Sequence, residues 1–453
     1  MTRQRTLLGI GLILALSLAG CWPAGEVQSV TIASQGSEAA VQNRTTPSFS
    51  AEPTPDETST PSPSPTAVID YRPDEIEPSA AFLFPLTIQH LTTSSATVHF
   101  ELVEPRQGRL VLWLQDQSPT AAFVFPFEAD RAQQSFVIDG LESGASYVVG
   151  VGIAGADGVF RSPQYYEQLW GPITFTVPEA NSYPLRIAAI GDSGYGEQAT
   201  FELAELMASY QPDFVLHTGD LVYLAQNNLN PTHAYAEKFF LPFEPILNSA
   251  PMYPVVGNHE HYWDVVYRDS FAYYYAFPRF PGSSGVIAGD PELREWYAFS
   301  YGDIQFILLN TQTFFGYPGR GEQMAWLEER LSDPDYLYSI VVLHVPPFTS
   351  GKHVPDGAAV QADWVPLFET YNVPLVLSGH DHNYQRLEHE GITYIVTGGG
   401  SGVLYPQTIN LDFSRYFSQQ MHFVFLEVYP DRIELSAIGA DGTIFDQSLI
   451  AIP

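Results

Sequence analysis

Between Ser95 and Leu102 apolar and polar side chains alternate, with Ala96, Val98 and Phe100 facing one way and Thr97, His99 and Glu101 the other. A period of two predicts a half-buried strand, and similar short runs from Ser79 to Val177, without helical stretches, predict an all-β unit. His90 and His99 lie in this unit and read as strand-surface histidines. From Leu185 the texture changes. Apolar runs at Arg186 to Ile190, Phe214 to His217, Met252 to Val256, Phe306 to Leu309, Ile340 to Leu343 and Leu375 to Leu377 read as strands. Helical patterns fall at Phe201 to Ser209 and Gln323 to Leu331. Such a succession predicts an α/β layered domain, in which functional side chains gather in loops beyond the carboxyl ends of the strands.

At the amino terminus the pattern is of another kind. Arg3 and Arg5 precede an apolar run from Leu7 to Ala19, the charged and apolar regions of a secretory signal, too short for a comfortable membrane span. The run ends in Leu18-Ala19-Gly20-Cys21, which resembles a bacterial lipoprotein box. That resemblance implies a signal peptide over residues 1–20, lipidation of Cys21, and a lipid anchor that holds the protein outside the cytoplasm at the bacterial cell envelope, with no transmembrane helix elsewhere. From Trp22 to Pro78 Ser, Thr, Pro, Glu and Ala dominate, a composition that cannot bury enough apolar surface to offset its ordering entropy. Residues 21–78 therefore read as a disordered tether.

Composition narrows the chemistry. Nineteen Lys and Arg against 51 Asp and Glu give a net charge of −32 over 453 residues, which excludes a basic nucleic-acid groove. A single Cys excludes a disulfide scaffold and a cysteine-ligated zinc site. Only two lysines, Lys238 and Lys352, leave Schiff-base and P-loop chemistry with almost no candidate residues.

Five strand-terminal loops carry metal-ligand side chains: Gly191-Asp192-Ser193-Gly194, Gly219-Asp220-Leu221-Val222-Tyr223, Gly257-Asn258-His259-Glu260, Leu343-His344 and Gly379-His380-Asp381-His382. The recurring glycines suggest sharp backbone turns. Carboxylate, amide and imidazole donors without thiolate point to hard or borderline ions, and their number to a two-metal centre sharing a carboxylate. His217 reads as a buried core histidine, while His261, His389 and His422 read as surface residues or supports of the site. Arg386 reads as a packing residue.

These motifs, in this order, resemble the calcineurin-like metallophosphoesterases and, through Tyr223, the purple acid phosphatases among them. The Leu141-to-Tyr147 segment resembles the tyrosine corner of immunoglobulin-like and fibronectin-type sandwiches. The implied architecture is a four-layer metallophosphoesterase β-sandwich flanked by helices over residues 183–453, preceded by an all-β fibronectin type III-like domain over residues 79–178. By the resemblance Asp192, Tyr223 and His382 hold Fe(III). Asn258, His344 and His380 hold a divalent Fe, Zn or Mn, and Asp220 bridges the two. His259 and His353 face the substrate, with Glu260 and Asp381 orienting imidazoles and Ser350-Gly351-Lys352 forming a mobile loop; Lys352 reads as a solvated lysine. The implied activity is hydrolysis of phosphate monoesters by a metal-bound hydroxide. Two other readings stand beside it, a phosphodiesterase or nucleotidase on the same centre and a surface-binding lipoprotein with a vestigial metal site.

Overall fold

The computed structural model describes residues 28–31, 82–117, 122–153, 168–223, 234–260, 287–288 and 296–452. Cys21 and His261 lie outside the described residues. The first unit is built from β1 (Gln28–Thr31), β2 (Phe82–Leu91), β3 (Ser95–Leu102), β4 (Gly108–Leu114), β5 (Phe123–Phe127), β6 (Gln133–Asp139), β7 (Ser146–Ile153) and β8 (Gln168–Thr176). They form two four-stranded sheets, in the orders β1-β6-β3-β2 and β5-β4-β7-β8. From β2 to β8 this is the strand arrangement of a fibronectin type III-like sandwich. Its tyrosine corner is present: the Glu142 backbone N–H donates to the Tyr147 hydroxyl at 3.1 Å. The strand β1 falls inside the stretch read as a disordered tether and pairs in parallel with β6, a local exception that the Val-Thr content of Gln28–Thr31 permits.

The alternation in β3 places Ala96, Val98 and Phe100 in the sandwich core, yet Thr97, His99 and Glu101 are buried as well. Neither histidine is on the surface. His99 Nδ1 lies 2.6 Å from Ser135 Oγ, and His90 Nδ1 lies 2.9 Å from the Tyr253 hydroxyl of the second unit. The Tyr301 hydroxyl donates to the Leu91 carbonyl at 3.1 Å, so the end of β2 is tied to the second unit by two tyrosines. His90 finds its partner in the other unit and His99 in the neighbouring strand β6, neither of which the pattern of one strand reveals.

The second unit comprises β9 (Leu185–Ile190), α1 (Gln198–Ser209), β10 (Phe214–His217), α2 (Glu244–Leu247), β11 (Met252–Pro254), β12 (Ile287–Ala288), β13 (Tyr297–Tyr301) and β14 (Ile304–Leu308). It continues through α3 (Arg320–Leu331), β15 (Tyr338–Val342), α4 (Ala358–Asp363), α5 (Val365–Thr370), β16 (Leu375–Ser378), β17 (Tyr384–His389) and β18 (Ile392–Thr397). Strands β19 (Ser414–Ser418), β20 (His422–Val428), β21 (Arg432–Gly439) and β22 (Ile444–Ala451) complete it. One sheet runs β11-β10-β9-β20-β21-β22 and the other β12-β13-β14-β15-β16-β18-β17-β19. Alternation along β14 and β15 divides the core. Phe306, Leu308, Ile340 and Val342 point between the sheets, and Ile307 and Val341 point to the outer face. That outer face is covered by Leu327 of α3 and by Val360, Trp364 and Phe368 along α4 and α5. Leu203, Ala204 and Met207, spaced to share one face of α1, join the other core. The result is the four-layer sandwich with helices outside.

His422 opens β20 and is fully buried rather than on the surface. Its Nδ1–H donates to the Gln420 carbonyl at 2.9 Å, and Nε2 lies 3.2 Å from Thr397 Oγ1. Burial lowers its pKa to about 4. The unfolded chain therefore takes up this proton first as pH falls. Stability contributed by neutral His422 is whole above the ordinary value of 6.5 and drains away toward about 4. His422→Gln should remove roughly 3 kcal/mol of this pH-dependent loss. Denaturant unfolding at pH 7 and pH 4 checks it: an unchanged slope of stability against pH would show that His422 does not carry the effect.

Candidate metal centre

Strands β9, β10 and β11 run parallel and end at Ile190, His217 and Pro254, while β15 and β16 end at Val342 and Ser378. All five loops thus leave the carboxyl ends of strands in two packed sheets. The backbone turns at the ligand-bearing residues themselves: Asp192, Asp220 and His380 have φ of 59°, 55° and 66°, a left-handed region that side chains enter at a cost. Of the glycines before them only Gly219 shares it, at 95°. The others make room. A Cβ on Gly257 would stand 2.2 Å from Asp220 Oδ1, and one on Gly379 would stand 2.5 Å from Asp192 Oδ2. Close approach by a carboxylate, more than a sharp turn, is what these positions require.

Around the first carboxylate, the Tyr223 hydroxyl lies 3.3 Å from Asp192 Oδ1 and 3.1 Å from His382 Nε2, which is itself 3.5 Å from Asp192 Oδ1. Around the second, His344 Nε2 lies 2.9 Å from Asn258 Oδ1 and 3.5 Å from Asp220 Oδ1. Backbone carbonyls fix both rings: His344 Nδ1–H donates to Thr218 at 2.8 Å and His382 Nδ1–H to Val403 at 2.6 Å. Burial lowers both imidazoles to about 4. At neutral pH each therefore keeps its proton on Nδ1 and turns the Nε2 lone pair inward. His344 Nε2 and Asn258 Oδ1 then meet as two electron-pair donors, near the separation of about 3 Å that neighbouring ligands have around an ion at ~2.1 Å.

Asp192 and Asp220 are 0% and 2% exposed. Burial and the Asp220 charge push Asp192 well above the usual carboxylate range, and burial with both carboxylates pushes the Tyr223 phenol well above 10. Asp220 is raised by burial too, but the imidazoles of His344 and His259 outweigh this and hold it low. Buried acids with no Lys or Arg paired to them among the described residues fit a cationic guest. Oxygen and nitrogen donors in two groups joined at Asp220 fit two hard or borderline ions.

His259 stands at the rim. Its backbone N–H donates to Asp220 Oδ1 at 2.9 Å and its ring meets Tyr223 edge-on at 4.3 Å. The His380 ring lies 5.0 Å from that of His344 and reaches a further acid. Its Nε2 and His353 Nδ1 each lie 3.0 Å from Asp356 Oδ2, and the two imidazole rings are 4.2 Å apart. The hydrogen bond from His380 is the main cause that holds Asp356 below its ordinary value. Asp356 is the member of this candidate group that sequence reasoning missed. Its signal is an acid three residues after His353, in the turn Pro355-Asp356-Gly357.

Glu260 and Asp381 orient backbone rather than imidazoles. Glu260 accepts the N–H groups of Gly257, Asp220, Leu221 and Val222 at 2.8 to 3.3 Å, joining two ligand loops. Burial and the Asp220 charge push it up to about 8. Asp381 accepts the N–H groups of Lys352 and His353 and the Thr349 hydroxyl. Ser350 donates twice to Gln385 Oε1, and Thr408 holds the Ser350 and Gly351 carbonyls. The loop expected to be mobile is pinned, because its polar backbone meets buried acceptors from distant segments. His217 is the buried core histidine expected: Gly219 donates to its Nδ1, and Nε2 meets Ser193 Oγ at 2.9 Å. Arg386 packs structurally, forked onto Asp446 at 2.8 and 3.1 Å.

The calcineurin-like phosphoesterase family profile matches residues 185–384. Among curated relatives, "Purple acid phosphatase 23" of Arabidopsis thaliana is 24% identical over 312 residues, covering 61% of this chain and 64% of its own. The chain therefore spans just under two thirds of that relative's length. "Tartrate-resistant acid phosphatase type 5" of Mus musculus is 25% identical over 311 residues, covering 62% of this chain and 94% of its own. Among solved structures, the purple acid phosphatase PPD1 from yellow lupin seeds shares the fold with a TM-score of 0.59 at 17% identity, covering 81% of this chain and 74% of that one. PhoD shares it with a TM-score of 0.60 at 12% identity, covering 82% and 89%. With strand-terminal donors in this arrangement, residues 185–384 match the calcineurin-like phosphoesterase family, and the named relatives are purple and tartrate-resistant acid phosphatases.

Proposed function

We propose that this protein hydrolyses phosphate monoesters at a binuclear metal centre, as an acid phosphatase outside the cytoplasm. The observation that carries the reading is the buried Asp192 and Asp220 pair, flanked on one side by Tyr223 and His382 and on the other by Asn258 and His344. In this reading Asp192, Tyr223 and His382 hold Fe(III), Asn258, His344 and His380 hold a divalent Fe, Zn or Mn, and Asp220 serves both. The phenolate and carboxylates favour the trivalent ion, and neutral donors suit the divalent one. Once bound, the ions supply Lewis acidity toward a phosphoryl oxygen and lower the pKa of water.

The chain's own residues handle the substrate. His259, at the rim, donates to a phosphoryl oxygen. His353 protonates the departing alkoxide: Asp356 takes its Nδ1–H, which leaves Nε2 as the atom that carries the transferred proton. Asp381 fixes where His353 can stand by accepting its backbone N–H. A lipid on Cys21 would hold the domain at the cell envelope.

The metal-loaded protein should hydrolyse 4-nitrophenyl phosphate faster than bis(4-nitrophenyl) phosphate; the reverse preference assigns a diesterase. His353→Ala should keep both metals and lose at least about tenfold in kcat on an alkyl phosphate, about 1.4 kcal/mol, with a much smaller loss on an aryl phosphate whose phenol is acidic. Equal losses on the two substrates would reduce His353 to positioning.

Tyr223→Phe retains the ring and the fold but should abolish the visible phenolate-to-iron charge-transfer band. Absence of that band from iron-replete wild-type protein would remove iron(III) from the Tyr223 side. Cys21→Ser should release the protein from the membrane fraction with its phosphatase activity intact, and persistent membrane association would assign the anchor elsewhere.

A further inference from the structure

The chain's two lysines are used differently. Lys238 is partly buried and donates its ammonium to the Tyr223 carbonyl, bracing a ligand loop. Lys352 is exposed, yet it is not the freely solvated lysine its sequence context suggests. Its backbone N–H is held by Asp381 Oδ1 at 2.8 Å, and the two residues before it are fixed by Thr349, Gln385 and Thr408. Its ammonium sits 4.1 Å from the Tyr405 ring centroid. That ring stacks on His382 at 4.3 Å and 15°, and lies 5.7 Å from the His353 ring. The cation is therefore one aromatic ring removed from a metal-ligand candidate and adjacent in sequence to the proposed proton donor.

In a chain with 51 acidic residues a solvated lysine has abundant carboxylates to pair with. Among the described residues Lys352 has none; its recorded partner is a π face. The Tyr405 hydroxyl has no hydrogen-bond partner among the described residues, and neither has that of Tyr195, whose ring lies tilted against Tyr223 at 4.3 Å and 31°. An ammonium fixed in place, with no counter-ion among the described residues and phenolic donors near it, has its charge available to a guest.

We infer that Lys352, seated on Tyr405, binds a second anionic group of the substrate, so that the preferred substrates are phosphate esters and anhydrides whose leaving group itself carries a phosphate. This rests on the phosphoesterase reading above. Water forms the new bond to the terminal phosphorus, the bond from that phosphorus to the bridging oxygen breaks, and the bridging oxygen leaves with its electron pair on the departing phosphate. The water's protons are shared between the two products, and no reactant beyond water is consumed. Arginine keeps the positive charge and also stacks on aromatic faces, so Lys352→Arg retains the attraction for phosphate.

The test uses the metal-loaded full chain with adenosine 5′-diphosphate and 4-nitrophenyl phosphate as substrates. Lys352→Met should lower kcat/KM for the diphosphate at least about tenfold, chiefly through KM, and for the aryl phosphate about threefold at most. Lys352→Arg should stay within about threefold of wild type on both, and rising salt should erode the wild-type advantage on the diphosphate. Equal losses on the two substrates, or no loss on the diphosphate, would overturn the inference. Calorimetric binding of pyrophosphate and of inorganic phosphate separates it from the catalytic reading. Wild-type protein should prefer pyrophosphate, and Lys352→Met should lose that preference. If no substrate turned over but the preference held and depended on Lys352, the phosphoesterase reading would fail while the anion site stood. No preference in the wild type would overturn the anion site itself.

Discussion

Two carboxylates buried side by side, Asp192 and Asp220, are the constraint around which the domain is organised. Like charges withdrawn from water repel strongly and lose hydration, so neither would be tolerated without compensating contacts. Backbone amides provide part of the compensation: His380 N–H reaches Asp192 and His259 N–H reaches Asp220. These contacts require the chain to approach closely, which explains why Gly257 and Gly379 bear no Cβ and why both aspartates accept a left-handed backbone. The remaining negative charge is what makes the pocket a place for cations.

Everything beyond this pair serves to keep it in place. Glu260 ties the Asp220 loop to the Asn258 loop through four backbone N–H groups. Asp381 and Gln385 fasten the loop that carries His353, and the carbonyls of Thr218 and Val403 set the rings of His344 and His382. The carboxylates of Glu260 and Asp381, which look from their motif positions like partners for imidazoles, hold peptide groups instead. The five strand-terminal loops must stay within ångströms of one another to act as one candidate site, and backbone anchoring limits their drift more directly than a side-chain contact does.

The sandwich unit contributes at a distance. His90 and the Leu91 carbonyl grip Tyr253 and Tyr301, and Tyr253 lies in β11, the strand that leads into Gly257 and Asn258. One unit thus braces a strand of the other that leads into a candidate ligand loop. Across the site, the acidic character of the chain gives way locally, because among the described residues Lys352 has no carboxylate partner and rests on Tyr405.

The sequence alone determined which loops meet around the carboxylate pair, because strand-terminal loops inherit their place from the apolar strands before them: Arg186 to Ile190 and β9, or Phe214 to His217 and β10, differ by one residue at most. It determined the α/β texture, the tyrosine corner and the absence of thiolate ligands for the same reason, since each depends on residue identity and short-range spacing. Tertiary structure decided what depends on contacts between distant segments. The burial of His90, His99 and His422, the pairing of His353 and His380 through Asp356, the pinning of the loop from Thr349 to His353, and the backbone roles of Glu260 and Asp381 all have partners tens to hundreds of residues away or on a facing loop. A local pattern reports whether a side chain is apolar or polar. Whether a polar one meets water or a buried partner is settled only when the sheets close over it.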